Sequence, residues 1–297
     1  MVAADGEVCL YWRHKGAYVE IAFAADGMMF GYGRDLNGNC VEARCPATGL
    51  MLPLAPSWII SEKYRVCAVL KRNDARQGYD IEIVTGADKD TFENAKKGTV
   101  QNGRLVCPET GETFSISSIR GDRRVGGETV YGLRLWENED LVPRPDDVFQ
   151  ERLYCVRWVE TLWNKTRRHY RSVDEDDLRR EKKVLGLLKE RFSEWQEKGF
   201  IPSRAIEPGA ETSRLQKERG WTHWHHLFNP RQLLAHGELF SRLNKNVPAN
   251  LIRLGNVADF NSKLTRYPAT RETINNTFSN QALNTVYNFP VQGIPTM

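Results

Sequence analysis

The residues best suited to chemistry crowd into positions 219–234, Arg-Gly-Trp-Thr-His-Trp-His-His-Leu-Phe-Asn-Pro-Arg-Gln-Leu-Leu. This stretch holds three of the six histidines and two of the eight tryptophans. Asn229 is suited to cap a helix, because its side-chain oxygen accepts from an orphan N–H of the first turn. Pro230 then falls at the first helical position, where its missing N–H costs nothing. On that reading Trp221, His223, Trp224, His225 and Arg231 gather at the positive end of a helix dipole, which attracts anions such as phosphate. The same residue types also make an ordinary packed corner once their N–H groups are satisfied. A metal-dependent enzyme built on His223, His225 and His226 is the weakest use, since adjacent His225 and His226 do not easily share one ion and no carboxylate motif accompanies them.

A second candidate comes from the cysteines. Cys45-Pro46-Ala47-Thr48-Gly49 recurs about sixty residues later as Cys107-Pro108-Glu109-Thr110-Gly111, a spacing compatible with paired structural units. A C-P-x-C-G turn is the knuckle of a zinc ribbon, where two thiolates grip one face of a tetrahedral ion. Here Thr48 and Thr110 stand where the second thiols would be. Cys40, Cys45 and Cys107 are the candidate ligands; Cys40 or Cys67 could restore the ligand count, but neither has knuckle spacing. The expectation is a pair of degenerate, zinc-ribbon-like hairpins that hold no metal.

The elements that must position these groups read as an α+β chain. Residues 8–12, 18–23 and 28–32 are short β-rich runs, separated by turn chemistry at His14-Lys15-Gly16 and Asp26-Gly27, and suggest a meander. Gly31, Gly33 and Gly38 have the wrong spacing for a dinucleotide loop. Strands are also expected at 50–54, 64–70, 79–84 and 113–119, with 85–103 as loop. A linker-like run at 142–147 divides a β-rich domain, 1–141, from a mostly helical domain, 142–297.

In the second half, Phe149, Leu153, Val156, Val159 and Trp163 recur at three and four residues, which predicts a helix. It would end in Lys165-Thr166-Arg167-Arg168-His169-Tyr170-Arg171, either a solvated basic C-terminus or a phosphate-contacting patch. Residues 174–198 predict the clearest helix, with four acids at its start and Leu178, Leu185, Leu188, Phe192 and Trp195 as a stripe. Further helices are expected after Pro230, at 249–263 and at 271–288. The last has Ile274, Phe278, Ala282 and Val286 inward and is rich in amides.

Composition excludes less than it permits. The chain has 297 residues, is 40% hydrophobic and 27% charged, and carries a net charge of +4. That permits a nucleic-acid partner without arguing for one. No apolar run is long enough for a membrane span, no signal peptide is expected, and the cysteines are too unevenly spaced for a disulfide framework. A reducing, cytoplasmic setting is the expectation.

Four segments carry a family likeness: 57–61 (Ser-Trp-Ile-Ile-Ser), 143–154 (Pro-Arg-Pro-Asp-Asp-Val-Phe-Gln-Glu-Arg-Leu-Tyr), 220–234, and 278–288 (Phe-Ser-Asn-Gln-Ala-Leu-Asn-Thr-Val-Tyr-Asn). Through them nearly the whole chain resembles the interior of large bacterial and archaeal adenine-specific DNA methylases that carry a zinc-ribbon insert and accompany phage-defence genes. The family ribbon has C-P-x-C-G knuckles, from which Thr48 and Thr110 depart. The glycine-rich loop for S-adenosylmethionine and the Asn-Pro-Pro-aromatic motif of such enzymes are absent, and Asn229-Pro230-Arg231 is explained as a helix cap. The resemblance therefore implies an isolated middle segment or split-gene subunit, inactive alone. It would engage DNA through Arg167, Arg168, Arg171, Trp221, His223, Trp224, His225 and Arg231, bind no cofactor itself, and serve a restriction-modification system that uses S-adenosylmethionine. The alternative is a structural subunit that docks a separate catalytic chain through the helix at 174–198.

Overall fold

In the computed structural model of the chain, the described residues are 8–14, 17–23, 29–32, 36–162, 165–243, 247–278 and 282–292. The fold is mixed α and β, with strands concentrated in the N-terminal half and helices in the C-terminal half. The first strands are β1 (Val8–His14), β2 (Ala17–Phe23) and β3 (Met29–Tyr32), an antiparallel sheet in the order β1-β2-β3 as the meander predicts. The turn residues Lys15, Gly16, Asp26 and Gly27 lie outside the described residues.

The chain continues through β4 (Leu36–Arg44), β5 (Met51–Leu54), β6 (Ile59–Ser61), β7 (Val66–Asn73) and β8 (Gly78–Val84). A short helix follows, α1 (Lys89–Lys96), where sequence pattern predicts loop; Asp88 caps it by accepting from Thr91 N. Next come β9 (Val100–Gln101), β10 (Arg104–Val106), β11 (Thr113–Ser115), α2 (Ile116–Arg120), β12 (Arg123–Val125) and β13 (Glu128–Val130).

The predicted helix over 149–163 is not formed. Those residues make a long strand, β14 (Phe149–Leu162), which turns back into β15 (Lys165–Ser172). β14 pairs antiparallel with β4 from Phe149↔Ala43 to Arg157↔Leu36. The last strand, β16 (Asn288–Gln292), takes part of the opposite edge of β4, while β5 takes the rest. A single eight-stranded sheet thus runs β15-β14-β4-β5-β8-β7-β6, with β16 beside β4. Strands from both sides of the boundary expected at 141/142 share this one sheet. The helix expected over 271–288 is likewise absent: the backbone there turns irregularly before β16, Phe278 is exposed, and Asn280 and Gln281 fall outside the described residues.

The helical layer contains α3 (Glu175–Glu197), α4 (Thr212–Arg219), α5 (Pro230–Arg242) and α6 (Pro248–Phe260). At the start of α3, Asp174 Oδ1 accepts from Asp177 N at 2.9 Å and Asp177 Oδ2 accepts from Asp174 N at 3.1 Å, a reciprocal capping box. Its predicted stripe buries Leu188, Phe192 and Trp195 and half-buries Leu185, whereas Leu178 at the first turn stays exposed. α5 starts as predicted, with Asn229 as cap and Pro230 at the first position.

α3 packs on α5 through a close approach of Trp195 to Gly237, where a Cβ would stand 2.1 Å from the indole ring. On an exposed helix, replacing glycine by alanine stabilises by roughly 1 kcal/mol. Here the sign reverses: Gly237→Ala is expected to lower stability by about 1–3 kcal/mol, as overpacking does. Urea denaturation of the variant checks this, and a stabilised variant would refute the close packing.

Candidate functional site

The three histidines do come together, but inside the protein. α4 ends at Gly220, whose φ of 75° and close approach to Arg134 O exclude any side chain. The chain then passes an isolated bridge, Ala205↔His223, into a single 3-10 turn at Trp224–Leu227. The His225 and His226 rings meet at 4.3 Å and both lie 5.5 Å from His223. His226 Nδ1 accepts from Thr222 N at 3.1 Å and His223 N at 3.2 Å, which leaves Nε2–H to donate to Glu137 O at 3.1 Å. His226 is thereby fixed as a neutral imidazole. His225 is fully buried, with Nδ1 3.5 Å from the Gln196 amide and Nε2 unpartnered. Burial, with the neighbouring histidines adding to it, pushes the pKa of His225 down to about 4 and of His226 to about 2. Burial alone pushes His236 on α5 to about 4.

Several of the groups expected to form an anion site at the α5 N-terminus are engaged within the fold. Asn229 and Gln232 are buried and satisfy each other, Gln232 N donating to Asn229 Oδ1 and Asn229 N to Gln232 Oε1, both at 2.9 Å. Arg231 Nε donates to Glu181 Oε1 at 2.8 Å. Trp221 is buried, while His223 and Trp224 are half-buried. The stretch works as a packed corner.

At the floor of that corner lies a group that sequence inspection passed over. Lys263 is 1% exposed. Its ammonium sits 5.0 Å from the ring centres of both Trp136 and Trp221 and donates to Glu151 Oε1 at 2.5 Å. Burial lowers the Lys263 pKa, and Glu151 partly offsets that. Beside it, buried Arg219 spans the rings of Tyr287 at 4.7 Å and Phe149 at 5.3 Å. Lys263, Glu151, Trp136, Trp221, Arg219 and Phe149 line a cavity of about 30 Å³, the size of one water molecule. No sequence signal separates Lys263 from a surface lysine; its partner Glu151 reads as an exposed helical position until β14 is recognised.

The predicted DNA-binding arginines sit on the β14–β15 hairpin, on different faces. Val159 stands opposite Arg168, and Arg157 opposite Tyr170, so these four share one face. On it Arg168 Nη1 contacts Glu272 Oε2 at 3.0 Å, Tyr170 Oη donates to Glu272, and Arg157 Nη1 donates to Glu272 O at 2.9 Å. That face is covered by the 266–277 segment. The other face carries Arg167, His169 and Arg171 with Trp158. Trp158 and His169 stack at 5.0 Å with an interplanar angle of 13°, and Arg167 is exposed. Arg171 is engaged with Asp177, its Nη1 donating to Oδ2 at 2.5 Å. Beyond Arg157, β14 pairs with no described strand except β15, so the hairpin end is a two-stranded ribbon. Trp158 was missed because the segment reads as a helix; the β-branched Val156, Val159, Thr161 and Thr166 around Asn164 are the signal for a hairpin.

The two Cys-Pro-x-Thr-Gly turns have matching bonds. Cys45 N donates to Leu50 O at 2.8 Å and Cys107 N to Glu112 O at 2.9 Å. Gly49 N and Gly111 N return to Cys45 O and Cys107 O at 2.8 and 3.0 Å. Thr48 Oγ1 accepts from Leu50 N at 3.4 Å, and Thr110 Oγ1 from Glu112 N at 3.3 Å. Both glycines have φ of 73°, the left-handed region that favours glycine. Cys45 and Cys107 are both buried and belong to one apolar cluster. Cys40 belongs to a different cluster, with Tyr154, Cys67 and Cys155. Among the described residues no three His, Cys, Asp or Glu side chains are grouped to hold a metal ion.

Among the described residues no helix is long and apolar enough to cross a membrane. No family model, curated protein or solved structure matches the chain.

Two outcomes follow from the buried charges. The unfolded chain protonates its histidines near pH 6.5, whereas the native His225, His226 and His236 stay neutral to about 4 or below. Stability is therefore full above pH 6.5 and falls as pH drops toward 4, by up to about 1.4 kcal/mol per pH unit for each histidine. Urea midpoints measured from pH 7.5 to 4.5 check this, and His225→Phe should lower the slope by one proton. Separately, Glu151→Gln strands the Lys263 charge and should cost about 3–5 kcal/mol, much of it regained in Glu151→Gln/Lys263→Met. A single variant as stable as the parent would refute the pairing.

Proposed function

We propose that the chain is a DNA-engaging, target-recognition component of an adenine-specific DNA methyltransferase system, acting in the cytoplasm with a separate catalytic chain that binds S-adenosylmethionine. The observation that carries this reading is the free end of the β14–β15 ribbon, which offers the Trp158–His169 stack beside exposed Arg167. A two-stranded ribbon fits the DNA major groove, and exposed cations on it neutralise phosphates. An aromatic platform suits unstacked bases, which arise when a methyltransferase extrudes its target from the duplex. The family resemblance of the four sequence segments supports the same assignment. Arg167 keeps its proposed DNA role. Arg168, Arg171 and Arg231 instead hold carboxylates within the fold, and Trp221 and His225 are buried.

Fluorescence anisotropy with a labelled duplex and a labelled single strand, at several salt concentrations, tests this. Arg167→Ala should weaken binding and reduce the salt slope by about one. Trp158→Ala should cost about 1–3 kcal/mol on the single strand. Arg168→Ala should lower the melting temperature, because Glu272 is left buried with the Tyr170 hydroxyl but without its cation. Unchanged affinity and salt slope in both Arg167→Ala and Trp158→Ala would end the assignment, as would adenine methylation by the chain alone.

A further inference from the structure

Another buried cation, Arg157, is less well answered than Lys263. It lies on β14 at the end of the pairing with β4 and is 9% exposed. A guanidinium stays charged in a folded protein and carries five N–H donors. Nη1 donates to Tyr267 Oη at 3.0 Å and to Glu272 O at 2.9 Å, and the guanidinium stands 5.5 Å from the Tyr267 ring centre. Its Nε is buried and finds no acceptor among the described residues. No carboxylate among them pairs with it either: Glu272, itself buried, gives its carboxylate to Arg168 and to the Tyr170 hydroxyl. Two cations share one acid in this part of the interior, which leaves one positive charge over.

Arg157 lines a cavity of about 30 Å³, room for one water molecule or one monatomic ion. Tyr154, Tyr267 and Asn288 are the other polar side chains on its wall, Ile59 and Ile60 belong to the apolar part, and no carboxylate reaches it. The pairing of β14 with β4 shifts between Leu153 and Cys155, a bulge of the kind that re-aims the residue between. That residue is Tyr154, whose ring lies so near Gly38 on β4 that a Cβ there would stand 3.0 Å from it. β16 flanks the same glycine from the other edge, Pro290 pairing with Gly38. Tyr267 Oη accepts from Arg157, so its own hydrogen is left to donate, and no acceptor for it occurs among the described residues. A water molecule in the cavity would satisfy these donors and leave the charge unanswered. A small anion answers both, and a buried cation without a counter-charge is strongly unfavourable.

The geometry points to a binding site for one monatomic anion of the chloride type in the cavity beside Arg157, held by the Nε–H of Arg157 and the hydroxyl of Tyr267. The site joins β14, β4, β16 and the segment that carries Tyr267, so its occupant fixes the root of the β14–β15 ribbon to the sheet and to the chain that covers it. It stands whether or not the ribbon binds DNA.

The test uses the whole chain, with sodium chloride exchanged for sodium gluconate at constant ionic strength. Two readouts are followed: the urea midpoint, and the broadening of the chloride NMR line by the protein. Both should follow a single-site saturation curve in chloride, because a ligand that binds only the native state stabilises it by mass action. Bromide should substitute, whereas sulfate, too large for the cavity, should not. Arg157→Met removes the cation and should abolish the saturable part of both signals. Tyr267→Phe keeps the cation and the ring but loses one donor, and should raise the half-saturating chloride concentration about tenfold, the worth of one hydrogen bond to a charged group. It decides the matter even where Arg157→Met does not fold. A parent chain that shows no saturable chloride effect sinks the proposal. So does an effect that survives in folded Arg157→Met, or a half-saturating concentration left unchanged by Tyr267→Phe.

Discussion

The ammonium of Lys263 is the charge on which the joining of sheet to helical layer depends. It is held between Trp136 and Trp221 and answers Glu151 on β14. An ammonium removed from water costs several kcal/mol after relaxation, and a facing carboxylate returns that only in good geometry. The two indole faces supply further attraction in a desolvated setting. Lys263 N also donates to Leu227 O at 2.7 Å, so the backbone of the histidine-rich turn is fixed to the same point. Trp136 precedes the sheet strand β14, and Trp221 follows α4. One cation therefore ties together segments remote in sequence, and its register is specified because an unpaired charge there is not tolerated.

The same physics sorts the other cations. A net charge of +4 from 42 basic and 38 acidic residues says little until pairing is known. Arg134 binds Asp140 and Asp147, Arg152 and Arg76 share buried Glu42, and Arg171 answers Asp177. The last arrangement fixes the start of α3, since Asp177 also completes the capping box. Such guanidinium groups are poor candidates for phosphate, because leaving would strand a buried carboxylate. Arg167 differs in being exposed on the ribbon end, with no buried carboxylate among the described residues shown to answer it. Position on the ribbon, not basic composition, is what distinguishes it.

Local signals were legible in the sequence wherever the structure is local. Asp174 with its acidic first turn and Asn229-Pro230 both specify helix starts through bonds made within four residues, and both form. The cysteine turns are equally local, and their repeat announced two equivalent hairpins. β14 was misread because Phe149, Leu153, Val156 and Val159 satisfy a helical period. Its state is decided instead by β4, more than a hundred residues away, which offers a free edge to pair. Charged Glu151 and Arg152 look like solvent positions on a helix, yet in the strand they reach Lys263 and Glu42. The 271–288 segment failed for a similar reason: Thr277 N bonds Asp259 O and Tyr287 O accepts from Val41 N, so the backbone is satisfied by other elements rather than by its own helix. The candidate arginines were found by type, but which of them faces outward depends on the hairpin register.

The paired Cys-Pro-x-Thr-Gly turns owe their shape to bonds made within each turn. Shape here rests on the left-handed glycine, the return bond to the cysteine carbonyl and the threonine hydroxyl that accepts from the next N–H. None of these needs an ion. Leu50, Leu52, Leu105 and Ile116 share one buried cluster with Cys45 and Cys107, so apolar packing can hold the two turns together.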